Sequence, residues 1–207
     1  PADLPSMTAP EPANNLAAHP ICEAPFKGPA SEDLCSQVIR YTMKRDLNLW
    51  FESLGPTAPV KTYAELRAWN LAHKDQGAIR YGQGRLDFSE STDLVKDKAR
   101  YERDRKDDLR LTRDEGLDAV LKAHKLDAIL FPGSSGANYA TKAGYPIVVV
   151  PFGMITNPAE GAKGSPDKVR PYGLSFVGGH CEDPKIVGIA YAFEQATKKR
   201  VPPPQFK

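Results

Sequence analysis

The sequence has few cysteines and no long hydrophobic run, and each of these absences excludes a class of protein. Its three cysteines, Cys22, Cys35 and Cys181, show neither CxxC spacing nor a Cys/His pattern. We therefore predict no zinc site and no disulfide framework, while pairing of Cys22 with Cys35 stays open. This cysteine content favours a reducing, cytoplasmic environment. No segment approaches the roughly 18 apolar residues that a membrane helix needs, so we predict no membrane partner.

An excess of charge of one sign is also missing. The 28 Lys and Arg residues are offset by 26 Asp and Glu, which gives a formal net charge of +2 over 207 residues. Binding to a phosphate backbone requires clustered positive charge, so no nucleic-acid partner is predicted. The most charge-rich stretch, residues 96–113, mixes both signs and predicts a solvated helix face with ion pairs between positions i and i+4.

Proline is concentrated at the beginning of the chain, and a helical region follows it. Seven prolines in residues 1–30 predict a proline-rich arm or linker, because each one fixes φ and removes a backbone donor. The chain begins at Pro1 without methionine or a signal-peptide pattern, so we expect a fragment or a processed product. In residues 31–125, apolar spacing after a Ser31 N-cap predicts one helix. Thr62 and Glu65 form the capping-box pattern of a second, a third is expected around residues 86–88, and Gly116 is expected to divide a long helical stretch over 94–124.

The residue pattern over 126–207 is typical of a sheet whose faces are covered. Short apolar runs at 127–131, 147–150 and 173–177, bounded by Pro and Gly, predict three buried strands. Between the last two, residues 157–171 predict an exposed excursion, and Asp183 with Pro184 predicts the start of a closing helix. Helices followed by strands indicate an α/β fold. Three strands with such continuous hydrophobicity need more cover than this chain supplies, so we expect an incomplete domain.

Several motifs in this region, taken in order, resemble the amidase signature family. They are LDAILFP at 126–132, AGYPIVVVPFG at 143–153, PYGLSF at 171–176 and AYAFEQAT at 190–197, with KRDLN at 44–48 upstream. The resemblance covers about residues 36–204. It implies the C-terminal part of a mixed β-sheet sandwiched by helices, from a stand-alone amidase.

The family resemblance also implies a chemistry, the hydrolysis of a carboxamide through a Ser/cis-Ser/Lys triad. In the family the triad precedes all the matched motifs, so no catalytic residue is expected in this chain. The implied partners are an N-terminal amidase segment, missing or on another chain, and a small-molecule amide substrate, with a homodimer left open. No cofactor and no metal are implied. Ser134, Ser135 and Asn138 sit where the family forms one wall of its substrate pocket, so we predict that they bind substrate.

Two other functions remain open. Residues 133–136, GSSG, are superficially similar to the serine-rich core of the family, so Ser134 or Ser135 could be a relocated nucleophile with Lys142 as its base. The context argues against this, because Ala137, Asn138 and Tyr139 break the core pattern. The other alternative is a catalytically inactive binding or scaffold module derived from the amidase fold.

Overall fold

The computed structural model describes residues 4–22, 35–156 and 169–202. These residues belong to two compact units, one spanning residues 9–108 and the other combining 1–8 with 109–207. Some sequence features lie outside the described residues. They are the predicted helix start at Ser31, most of the excursion at 157–171 and the proline-rich C-terminal end. The division into a 1–30 arm, a 31–125 helical region and a 126–207 strand region remains a proposal.

The unit of residues 9–108 is helical. Its helices are α2 (Val38–Ser53), α3 (Tyr63–Ala72), α4 (Gly84–Glu90) and α5 (Lys98–Leu109). The predicted cap of α3 is confirmed, because the Thr62 hydroxyl accepts a 3.1 Å hydrogen bond from the Glu65 backbone N–H. The core of this unit is largely aromatic: Tyr63 is fully buried, and the ring of the buried Tyr41 stacks on Tyr101 at 4.3 Å between centroids.

Two carboxylates of α5 are buried, which makes the solvated-face interpretation wrong at these positions. Asp108 accepts a 2.7 Å hydrogen bond from the Ser36 hydroxyl, and Asp104 accepts one of 2.9 Å from the Gln37 backbone N–H, just before α2 begins. A disulfide joins Cys22 to Cys35, the residue before Ser36, and this is the pairing that the sequence left open. The predicted i,i+4 pairing on α5 is confirmed by Lys98 with Glu102 at 3.9 Å.

The second unit contains the three predicted strands. It is built from α1 (Pro5–Thr8), a π-helical segment (Arg110–Leu117), α6 (Asp118–His124), β1 (Ile129–Pro132), α7 (Ala137–Ala143), β2 (Ile147–Thr156), β3 (Val169–Val177) and α8 (Asp183–Thr197). The described strands form one antiparallel sheet in the order β1-β3-β2. The predicted partial α/β fold is confirmed.

Helices cover both faces of this sheet. On one face, Val177 packs in a cluster with Leu117, Val120, Ala140 and Ala143. On the other, Val150 and Phe176 pack against Ile186 and Ala190 of α8. The cover is incomplete, because Val149, Phe152 and Met154 of β2 remain about half exposed. Within the part of the chain that the structure describes, β1 and β2 each leave one edge without a partner strand.

Gly116 does not divide the long helical stretch as expected. It lies inside the π-helical segment, where a Cβ atom would come within 2.6 Å of the Leu111 carbonyl oxygen five residues earlier. The wider π turn brings the backbone of residue i close to residue i−5. The glycine therefore accommodates a change of helix type within a stretch that continues into α6.

Candidate functional site

The loop that joins β1 to α7 carries two of the three predicted substrate-binding residues, Ser134 and Ser135, and its glycines fix its path. The third, Asn138, is the second residue of α7. At Gly133 (φ 58°) the chain is left-handed, and a Cβ atom would lie 3.3 Å from the Tyr172 ring. The Gly133 N–H donates to the Gly173 carbonyl at 2.9 Å, and its own carbonyl accepts from the buried Ser175 hydroxyl. Gly136 packs against side chains of all three strands, including Phe131. Both ends of the loop are thus tied to the sheet.

This path leaves the side chains of Ser134, Ser135 and Asn138 exposed to solvent. The Ser135 hydroxyl donates a 2.7 Å hydrogen bond to the Pro132 carbonyl, and the Asn138 N–H donates to the Ser135 carbonyl at 3.2 Å. The loop and the first turn of α7 therefore present two hydroxyls, of Ser134 and Ser135, and the side-chain amide of Asn138 from a tightly turned backbone. Such groups can donate to and accept from an amide ligand. Their role in substrate binding stays a prediction.

The described serines lack the partner that a Ser/Lys mechanism requires. These hydroxyls bond to carbonyls, a carboxylate, a backbone N–H, a methionine sulfur and a tyrosine hydroxyl, as for Ser36, Ser53, Ser89, Ser91, Ser135 and Ser175. Neither Ser134 nor Ser135 bonds to Lys142. A nucleophile must lie within hydrogen-bond reach of its base. The geometry of this loop gives no support to a relocated nucleophile.

Metal-ligating side chains are likewise scattered. Within residues 4–22, 35–156 and 169–202, no group of three His, Cys, Asp or Glu side chains could hold a metal ion. His73 stacks on Trp69 with ring centroids 4.0 Å apart, and His180 lies beside the exposed Cys181 thiol at 3.7 Å. These positions are compatible with structural and surface roles.

The turn after α7 carries a tyrosine with a perturbed acidity. Tyr145, which precedes Pro146 just before β2, is buried, and its hydroxyl bonds to Asp118. Burial, together with this hydrogen bond to a carboxylate, raises the pKa of Tyr145. The hydroxyl therefore stays protonated and acts as a fixed donor.

Several cavities of ligand size in the described part of the chain were not predicted from the sequence, and two of them lie in different units. One, of about 710 Å³, lies in the helical unit beside Lys44, whose ammonium group donates to the carbonyls of Glu90 at 2.7 Å and Thr92 at 2.9 Å. That lysine has a structural role, because its donors hold the chain after α4. The other cavity, of about 380 Å³, lies between β2 and β3 in the strand unit. The sequence signal was the cluster of Pro and Gly at 151–153 and 171–173, which we interpreted only as strand boundaries.

Comparison with known proteins places this arrangement among amidases, although no family model matches the chain. A probable amidase of Arabidopsis thaliana is 30% identical over 161 residues, which cover 77% of this chain and 28% of the plant protein. A putative amidase of Arthroderma benhamiae is 35% identical over 92 residues, covering 41% of this chain and 15% of the fungal one.

Solved structures agree with these sequence matches. The peptide amidase of Stenotrophomonas maltophilia is 36% identical with a TM-score of 0.65, covering 80% of this chain and 34% of that protein. An amidase family protein from Bacillus anthracis is 29% identical with a TM-score of 0.65, over 79% of this chain and 30% of the bacterial one. This chain thus spans about a third or less of the length of its relatives, in agreement with the C-terminal amidase segment that the motifs predict. Over about four fifths of its length, the chain is similar to amidases.

Proposed function

We propose that this chain is the C-terminal part of an amidase that hydrolyses a carboxamide to a carboxylic acid and ammonia or an amine. We further propose that the Ser/cis-Ser/Lys triad lies outside residues 1–207, so that this chain alone is inactive. The observation that carries the proposal is that amidases match this chain over only about a third of their own length, at 30% to 36% identity in two of them.

The chemistry divides between the two parts of the proposed enzyme. The triad would supply a serine nucleophile, activated when a neutral lysine takes its proton through the cis-serine, and backbone N–H groups would stabilise the tetrahedral oxyanion. This chain would contribute the wall formed by Ser134, Ser135 and Asn138, whose exposed polar groups can orient the substrate amide. Peptide amides are the first substrates to test, because one relative is a peptide amidase.

The remaining amidase segment is the proposed macromolecular partner. Among the described residues, the outer edges of β1 and β2 present backbone donors and acceptors without a partner strand, and Phe152 at the β2 bulge is about half exposed. Exposed strand edges of this kind pair readily with further strands. We infer that polypeptide from the rest of the amidase extends this sheet. The predicted homodimer stays a prediction.

The localisation of the protein follows less directly. In the described residues no helix has the length and apolar character to cross a membrane. The cytoplasmic localisation stays a prediction, and the Cys22–Cys35 disulfide weighs against it, because disulfides persist mainly in oxidising compartments.

A fluorophosphonate probe combined with an amide hydrolysis assay tests the proposed function. The 207-residue chain should neither react with the probe nor release ammonia from a peptide amide. The product of the complete coding region, including any sequence upstream of Pro1, should do both, with the label on a serine that precedes Pro1. Ser134→Ala and Ser135→Ala in that longer product should raise KM more than they lower kcat, because these residues bind substrate and do not react with it.

Each other outcome contradicts a defined part of the proposal. Labelling of Ser134 or Ser135 would establish a relocated nucleophile. A complete product that binds amides without hydrolysing them would identify a binding module.

A further inference from the structure

The cavity between β2 and β3 combines an apolar wall with two cationic side chains, Lys199 and Arg200. It has a volume of about 380 Å³, within the range typical of small-molecule sites. Its wall includes Val149 and Met154 of β2 and the ring of Tyr172 of β3. Lys199 and Arg200 line it from the chain that follows α8, and every other residue of its described lining is uncharged.

Two backbone irregularities create this space. The pairing of β2 with β3 shifts register between Pro151 and Gly153, a β-bulge that leaves Phe152 without an opposite residue. At the end of α8, Lys198 adopts a left-handed conformation (φ 47°), and its N–H caps the helix by donating to the Glu194 carbonyl at 2.8 Å. The chain then turns so that residues 199–201 reach the bulge.

The cations of this cavity have no partner among the described residues. Neither Lys199 nor Arg200 takes part in an ion pair or a hydrogen bond there, whereas Lys185 of the same unit pairs with both Glu182 and Asp127. The C-terminal carbonyls of α8 present only about half a negative charge. That half charge offsets a minor part of two full positive charges, so among the described residues the charge beside this apolar surface is net positive.

We propose that this cavity binds an organic carboxylate with an apolar body, its anionic group held by Lys199 and Arg200 and its hydrocarbon part on Val149, Met154 and Tyr172. Arg200 can hold a carboxylate through two parallel hydrogen bonds. A neutral ligand of the same shape gains the apolar contacts alone. The preference for the anion therefore separates this site from a nonspecific hydrophobic surface.

Calorimetric titration of the folded 207-residue chain with octanoate and with its neutral isostere octanamide tests the proposal. Octanoate should bind saturably and at least about tenfold more tightly than octanamide, which corresponds to about 1.4 kcal/mol. The double variant Lys199→Glu/Arg200→Glu should weaken octanoate binding at least about tenfold. The matched control Lys74→Glu/Lys106→Glu has the same change in net charge at two exposed lysines outside the cavity lining, and it should bind within about twofold of the unmodified chain.

Three results would overturn the site: no saturable octanoate binding up to about 10 mM, equal affinity for octanamide, or equal loss in the control variant. Circular dichroism of each variant establishes that it is folded. If the double glutamate variant does not fold, the comparison of octanoate with octanamide on the unmodified chain still decides the question.

Discussion

The hydroxyl of Tyr145 donates a 2.7 Å hydrogen bond to the carboxylate of Asp118, which joins the turn before β2 to the first turn of α6. Hydrogen bonds to charged groups contribute about 1.5–3 kcal/mol, and the partial exposure of Asp118 places this one near the lower end. Tyr145→Phe keeps the buried ring and removes the bond, so we expect the free energy of unfolding in urea to fall by about 1–2 kcal/mol. Tyr191→Phe, at an exposed tyrosine, is the control and should change it by less than about 0.5 kcal/mol.

The same bond predicts how stability depends on alkaline pH. Burial and the Asp118 carboxylate raise the pKa of Tyr145 in the folded protein, whereas in the unfolded chain it lies near its usual value of about 10. Above that value the unfolded chain releases a proton that the folded protein retains. The stabilisation is therefore complete below about pH 10 and is lost as pH rises towards the folded pKa. The difference in unfolding free energy between the unmodified chain and Tyr145→Phe should shrink as pH is raised from 9 to 11, and a constant difference would contradict the prediction.

Strand positions could be predicted because they depend on local sequence. Runs such as 147–150 are apolar at every residue and bounded by Pro146 and Pro151, and the structure places β2 there. The cap of α3 also followed from two residues three positions apart, Thr62 and Glu65. The sequence also predicted the partial α/β fold, because the amidase motifs lie along these strands and on α8.

Features that depend on distant partners could not be predicted in this way. Asp104 and Asp108 have the same local charge pattern as their exposed neighbours, but they also bond to residues 36 and 37, more than 60 positions away, which the local pattern does not indicate. The β2–β3 cavity depends likewise on a register shift and on the turn after α8. The spacing of apolar residues along the sequence predicts neither the register shift nor the turn.

We expect removal of the disulfide to lower the stability of the helical unit strongly. Cys22 and Cys35 close a loop with a sequence separation of 13 residues, and cross-links of this length contribute about 3 kcal/mol by restricting the unfolded chain. Cys22→Ala/Cys35→Ala should lower the unfolding free energy by about 2–4 kcal/mol. Cys181→Ser, at the exposed free thiol, is the control and should leave it nearly unchanged. In the oxidised chain a thiol reagent should titrate Cys181 alone; three reactive thiols in the folded protein would contradict the pairing.

Two glycines of the strand unit should respond in opposite directions to the same substitution. At Gly136 an added Cβ would lie 2.9 Å from Phe131 Cδ2, 3.0 Å from Val177 Cγ2 and 3.2 Å from Ile147 Cδ1, all within one packed face of the sheet. Gly136→Ala should therefore reduce stability by about 1–3 kcal/mol. At Gly188 in α8 nothing lies within 4 Å of the Cβ position, so Gly188→Ala should increase stability by about 0.5–1 kcal/mol through its higher helix propensity. Urea unfolding of both variants measures the two changes in unfolding free energy. A loss of stability in both would show that the outer surface of α8 is packed against further polypeptide.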